Sequence, residues 1–234
     1  IAEMERVLTI VLHSEHFCPC YVPSNQVFSH GVGIVALSDF SSFSVLQSFA
    51  HHCWSKAHGS SLETRFRYTP SDCFDTFPFP VDHAGIEGIG EQYHAHRQSI
   101  MLARQEGLTK TYNRFHSEKE RAPDIQRLRE VHVEMDRAVA RAYGWDSLDL
   151  GHGFHDTKQG RRFTLSEPAR REVLDRLLEL NHQRHAEEVA AGLHDATPKR
   201  QGKPAGGGGA PTAKRSRKPK AATGDLFGNG EGEP

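Results

Sequence analysis

"RYTPSDCFDTFPFP", residues 67–80, sets four aromatics and three prolines into fourteen positions. No helical or strand period runs through it. A residue that precedes proline is pushed out of the α region, so the stretch reads as an extended, proline-stiffened connector whose rings are free to clamp its neighbours. It divides the chain: strand-sized apolar runs lie upstream, and from about Gly88 the sequence is mostly helical. The expected fold is α+β. A small mixed α/β piece (1–80) is followed by a helical, bundle-like domain (81–195) and a disordered basic tail (196–234).

Upstream, "RVLTIVLHS" is rich in β-branched residues, "YVPSNQVF" is punctuated by Pro23 and Asn25, and "GVGIVAL" is a short buried-type run. "SDFSSFSVLQSFAHHCW" changes period. Its Phe40, Phe43, Leu46, Phe49 and Ala50 recur at steps of three and four, predicting one helix with Asp39 or Ser41 as N-cap and Gly59 at its end. Downstream, "EQYHAHRQSIMLARQEG" predicts a helix closed by Gly107. "DIQRLREVHVEMDRAVARAYGW" predicts another, with Pro123 near its start and Ile125, Leu128, Met135, Val139 and Ala142 on one face. A turn-rich stretch, 144–165, precedes "SEPARREVLDRLLELNHQRHAEEVAAG". There Ser166 is the expected N-cap, Pro168 sits in the first turn, Gly192 is the expected C′ residue, and Val173, Leu174, Leu177 and Leu178 form the stripe. Residues 196–224 carry no acidic side chain and much Gly, Pro, Lys and Arg, the composition of a disordered tail.

Bulk properties narrow the class. No run approaches the roughly 20 apolar residues of a membrane span. Glu3, Glu5 and Arg6 stand where a signal peptide would be apolar. A chain that lacks an initiator Met and opens almost directly on a strand-like run reads as part of a longer protein. Four cysteines without a secretory signal fit a reducing cytoplasm. Net charge is −1 and unevenly spread. Residues 1–80 hold four Lys/Arg against seven Asp/Glu, residues 81–195 seventeen against twenty, and the tail eight against three. Overall charge therefore gives no argument for nucleic acid.

Few residues suggest chemistry. His13, His16, Cys18 and Cys20 are all metal-ligand types, but Cys-Pro-Cys lacks the spacing that lets paired thiolates converge, and a cytoplasmic thiol pair is the simpler reading. Gly31-Val32-Gly33 superficially resembles a cofactor-cradling loop, yet a strand-like run follows it where a helix would be needed. There is no GxSxG, HExxH, GxxxxGK[ST] or Asn-Pro-Pro-Tyr. Asp72 and Asp75 read as turn or helix caps, and Arg127, Arg129, Glu130 and Arg137 as a solvated helix face with i,i+4 pairs. The tail suits either non-specific phosphate binding or a solubilising linker. No catalytic, cofactor-binding or metal residue is assigned.

A longer pattern is more specific. "SVLQSFAHHCW" followed by "SSLETRFRYTPSDCFDTFPFP" resembles the end of the target-recognition domain in large single-chain bacterial DNA methyltransferases, the type IIG and MmeI-like (type IIL) restriction–modification enzymes and their phage-defence relatives. The matching positions are His51 or His52, Trp54, Arg67-Tyr68-Thr69 and Phe77-Pro78-Phe79-Pro80. "GLTKTYNRFH", "DIQRLREVHVEMDRAVARAYGW", "RREVLDRLLELNHQRHAEE" and the "DLF" at 225–227 are similar to the helical C-terminal part of the same enzymes. The resemblance implies a parent that methylates adenine N6 from S-adenosylmethionine, through an upstream methyltransferase domain this chain lacks. The chain alone would then be inactive, without a cofactor of its own, and would supply specificity toward double-stranded DNA in the cytoplasm. Defence-system proteins are further expected partners, and a membrane is not. Ser24, Asn25, Gln26, Lys56, Arg65 and Arg67 carry the side-chain types that discriminate bases. The alternative is a helical protein-interaction module that docks a helicase or nuclease.

Overall fold

A computed structural model describes residues 3–62 and 65–193. Strand β1 (Arg6–Val11) is buried along most of its length because Val7, Leu8 and Ile10 meet neighbours on both faces. Short β2 (His13–Ser14) continues it past Leu12. Strands β3 (Cys20–Pro23) and β4 (Val32–Val35) flank β1 antiparallel, with Arg6 opposite Pro23 and Val11 opposite Val32. Helix α1 (Phe40–Gln47) starts at Asp39, whose carboxylate accepts from the Ser42 amide at 2.7 Å. Helix α2 (Phe49–His58) follows at once.

The predicted single helix over 39–59 is thus two. The chain turns extended at Ser48, and the freed Phe49 amide donates to Asp136 Oδ1 at 2.9 Å. A carboxylate eighty-seven residues away acts as the cap of α2, which the local sequence could not reveal.

Strands β5 (Ser60–Leu62) and β6 (Arg65–Arg67) form an antiparallel pair, and β2 joins the free side of β6 to make a second three-stranded sheet. The opening stretch is not wholly extended, as the sequence led us to expect. Helix α3 (Pro70–Cys73) makes one turn with Pro70 in its first position, where the missing N–H costs nothing. Beyond it the chain does run extended, and its aromatics clamp it. Phe77 is buried, Trp54 Nε1 donates to Thr76 Oγ1, the Tyr143 hydroxyl donates to the Pro78 carbonyl, and Asn181 donates to the Thr76 carbonyl.

Helix α4 (Glu87–Arg104) lies on α1 so closely that a Cβ on Gly90 would stand 2.2 Å from the Phe40 carbonyl oxygen. It ends at Gln105, left-handed at φ 50°, two residues before the predicted Gly107, which instead starts α5 (Leu108–Phe115). Helix α6 (Pro123–Ala142) buries Ile125, Leu128, Met135 and Val139. The turn-rich stretch holds an unpredicted hairpin, β7 (Gly153–Thr157) and β8 (Gly160–Thr164), closed by Lys158–Gln159 with Gly160 at φ 92°. Helix α7 (Glu167–Ala190) is capped by Ser166 and followed by Gly192 at φ 70°, both as expected.

The architecture is α+β. One apolar core crosses residue 80, joining Leu8, Phe43, Leu46 and Phe77 to Tyr93, Ile125, Met135 and Leu177. A smaller cluster of Ile10, Phe66, Tyr68 and Cys73 lies beneath the second sheet. The basic tail and its Asp225-Leu226-Phe227 ending lie outside the described residues. No helix among the described residues is long and apolar enough to cross a membrane.

Candidate nucleic-acid interface

The residues that sequence reasoning nominated do not converge. Ser24 turns the chain after β3. Its amide donates to the Glu5 carbonyl at 3.1 Å and its hydroxyl to the Met4 carbonyl, so its polar groups are already used. Asn25 and Gln26 are exposed beside it, with the Gln26 amide nitrogen 3.0 Å from the Pro23 carbonyl. Arg67 lies beyond the opposite end of β1, because β1 pairs Arg6 with Pro23 while β2 pairs His13 with Arg67.

Lys56 points away from both. Its Nζ donates to Gln159 Oε1 of the hairpin at 3.2 Å and sits 4.3 Å from the Phe66 ring centre. Burial pushes its pKa down to about 8, helped by the nearby Arg162 charge. This lysine braces the hairpin and is poorly placed for phosphate. Arg65 belongs to β6, but its side chain lies outside the described residues.

What remains is a compact exposed row. His13, Arg67 and Ser60 stand opposite one another across β2, β6 and β5, and all three are exposed. Strand alternation turns Phe66 to the apolar cluster and Arg67 to solvent. The Arg67 side chain has no hydrogen-bond or ion-pair partner among the described residues. Glu15, two residues past His13, is also exposed. His13 and Glu15 were missed by sequence reasoning, although the alternation of "LHSEHF" could have put both on one face.

The loop after β2, residues 15–19, is held unusually firmly. His16 is 5% exposed and stacks against both Tyr112 and His116, at ring distances of 5.9 and 5.4 Å. Its Nε2 lies 2.7 Å from Asn113 Oδ1 and its Nδ1 3.2 Å from Arg162 Nη1. Burial holds the imidazole below its ordinary pKa, against the pull of Asn113. Arg162 also donates to Glu15 at 2.6 Å, a bond that holds this carboxyl below the usual range. Arg97, buried in α4, donates to the Pro19 carbonyl at 2.9 Å.

Other suggested chemistry is absent from the described residues. They contain no group of three or more His, Cys, Asp or Glu arranged to hold a metal. His16 bonds Asn113, while Cys20 lies against Thr9 across the β1–β3 ladder. Gly31 precedes β4 and Gly33 lies within it, with no helix N-terminus beside them, so they do not fit a cofactor phosphate or an S-adenosylmethionine carboxylate. Arg129 departs from its predicted solvated face. It is 7% exposed and donates to the carbonyls of Arg114, Phe115, Ser117 and Glu120.

Residues 7–81 match the family model described as the target recognition domain of MmeI. A solved structure of the type IIL restriction-modification enzyme MmeI in complex with DNA aligns with a TM-score of 0.52 at 20% identity. The alignment covers 77% of this chain and 21% of that one, so the chain spans about a fifth of that protein's length. At this identity the likeness is one of fold. No curated protein matches the chain.

Proposed function

We propose that this chain is the sequence-reading portion of a larger DNA restriction–modification enzyme, and that its partner is double-stranded DNA. The match of residues 7–81 to a target recognition domain carries the reading.

The exposed row supports it. Donors and acceptors stand side by side on His13, Arg67, Ser60 and Glu15 with little net charge. Such a mixture suits base edges in a groove better than the phosphate backbone. Arg67 has the fork that fits guanine O6 and N7, and a carboxylate such as Glu15 accepts from cytosine N4. Asn25 and Gln26 form a second polar patch at the other end of β1. The acidic excess over residues 1–80 disfavours non-specific phosphate binding by this part.

Methyl transfer to adenine N6 is assigned to an upstream domain of the parent polypeptide. Gly31 and Gly33 enter a strand where such a cofactor loop needs a helix N-terminus, so they do not fit S-adenosylmethionine. The same reading implies a cytoplasmic enzyme serving restriction or phage defence.

The test is selection of duplexes from a random-sequence pool by the full chain at fixed salt. Recovery of a defined motif is expected, with labelled S-adenosylmethionine left unconsumed. Binding without any base preference would sink the recognition reading and favour a docking role for the helices. Methyl turnover by this chain would overturn the assignment of catalysis elsewhere.

A further inference from the structure

The loop from Glu15 to Pro19 has no ladder of its own, yet its conformation is fixed by residues far along the chain. Arg97 of α4, Asn113 of α5 and Arg162 of β8 reach it across separations of 78, 97 and 146 residues.

The chemistry of these anchors is specific. A guanidinium only donates, so His16 Nδ1 facing Arg162 must be the bare, accepting nitrogen. Nε2 then carries the hydrogen and donates to Asn113 Oδ1. One neutral tautomer satisfies both partners at once, and the rings of Tyr112 and His116 hold the imidazole plane. The same guanidinium takes one oxygen of the Glu15 carboxylate through its other terminal nitrogen. Glu15 is thereby oriented while its side chain remains 56% exposed, against 12% for Arg162. At the far end of the loop, Arg97 also bonds Gln47 and the Tyr112 hydroxyl, which ties the Pro19 carbonyl to a buried network.

We propose that Arg162, with Asn113 and Arg97, positions the Glu15–Pro19 loop for base reading, so that the β7–β8 hairpin and the helices set the specificity displayed by the sheet. This rests on the recognition reading above. Arg162 is a positioning residue: it acts through Glu15 and His16 and need not touch DNA itself. A reading group held in its bound orientation discriminates more sharply than a mobile one, because a wrong base cannot be accommodated by swinging the side chain away.

The experiment compares the full wild-type chain with Arg162→Ala and Arg162→Lys in two measurements. The first is amide hydrogen exchange across residues 14–20. The second is base preference from the random duplex pool, with the salt dependence of total binding. Arg162→Ala should speed exchange in the loop by roughly tenfold or more and flatten preference at one or more positions by a similar roughly tenfold factor, the range of one lost base contact. The salt slope should stay unchanged, since no phosphate contact is removed. Arg162→Lys keeps the charge beside Glu15 but not the fork, and should recover only part of both effects. Should Arg162→Ala melt the chain, Arg162→Gln retains the first three carbons and a donor and carries the same comparison. A wild type that selects a motif which Arg162→Ala retains unaltered, or an unchanged loop exchange, overturns this inference alone. A wild type that selects no motif overturns the recognition reading and this inference with it.

Discussion

The arginines of the helical part and Arg67 of the small sheet are used in opposite ways. In the helices most arginines are committed. Arg104 forks onto Asp124, Arg114 joins Glu106 and Glu120, and Arg129 satisfies four backbone carbonyls from a buried position. Arg67 extends from β6 into solvent with no partner among the described residues, beside exposed His13. The first set holds the fold, and the second is available to a ligand. The difference teaches that counting basic residues misplaces the interface: charge is dense where it is already spent, and sparse where it can act.

That division breaks most visibly at Arg129. Arg129→Ala strands several carbonyls in the turn between α5 and α6, and each buried acceptor left without a partner costs about 1–3 kcal/mol. For a domain of this size each kcal/mol lowers Tm by roughly 2–4 °C. Thermal unfolding of the full chain measures it. A change of one or two degrees would place Arg129 among the dispensable surface charges.

Buried histidines offer a second, nearly as large effect. Burial lowers the pKa of His51 to about 3 and that of His132 to about 4. The folded state therefore binds fewer protons than the unfolded chain below the ordinary histidine value near 6.5. Their contribution is fully present above about pH 6.5 and is lost as pH falls toward the folded values. The slope is roughly 1.4 kcal/mol per pH unit for each histidine, or about 4 kcal/mol for the two together by pH 5. Urea midpoints at pH 7.5 and 5.0 should show this loss. His51→Phe should reduce it, and an unaltered pH dependence in that variant would remove His51 from the account.

Elements that satisfy themselves locally were legible in the sequence, and those settled by distant partners were not. The β-branched run of β1, the apolar face of α6 and the Ser166 and Gly192 signals of α7 all act within a few residues. The break at Ser48 depends on Asp136, and the left-handed end of α4 falls on Gln105 before the nearby glycine is reached. The β7–β8 hairpin has only Phe154 and Phe163 as large apolar residues, too few to impose an alternating pattern. Arg161 and Arg162 illustrate the limit at the interface. Nothing in the sequence separates these neighbours, yet one pairs with exposed Glu118 and the other is nearly buried on Glu15 and His16. Arg67 stands in a recognisable motif and is exposed, whereas Lys56 and Ser24, singled out by residue type alone, are occupied.

On the available side, Arg67→Ala should leave stability within about 0.5 kcal/mol, as for most surface changes. Its effect belongs to recognition: loss of a bidentate base contact costs about 1–3 kcal/mol of discrimination at one position of the selected motif. Competition between the preferred duplex and single-base variants measures it. Uniform weakening across all duplexes would instead identify Arg67 as a phosphate contact.

Arg127 supplies the smallest and most discriminating case. Its side chain is 41% exposed but committed, bonding Glu130 and Glu134 one and two turns further along α6, both at 3.1 Å. Exposed pairs of this kind are worth only about 0.2–0.5 kcal/mol each, because solvent screens the attraction and two long side chains must be ordered to make it. Arg127→Ala should therefore cost well under 1 kcal/mol in the denaturant midpoint, a cost that high salt erases. It should also leave the selected DNA motif untouched. The charge is the same at the two positions and both side chains reach solvent, so any difference in DNA reading between the two variants reports whether the guanidinium has a partner and which surface it stands on. Equal loss of preference from Arg127→Ala and Arg67→Ala would show that recognition follows overall charge, and would dissolve the distinction between holding and reading arginines.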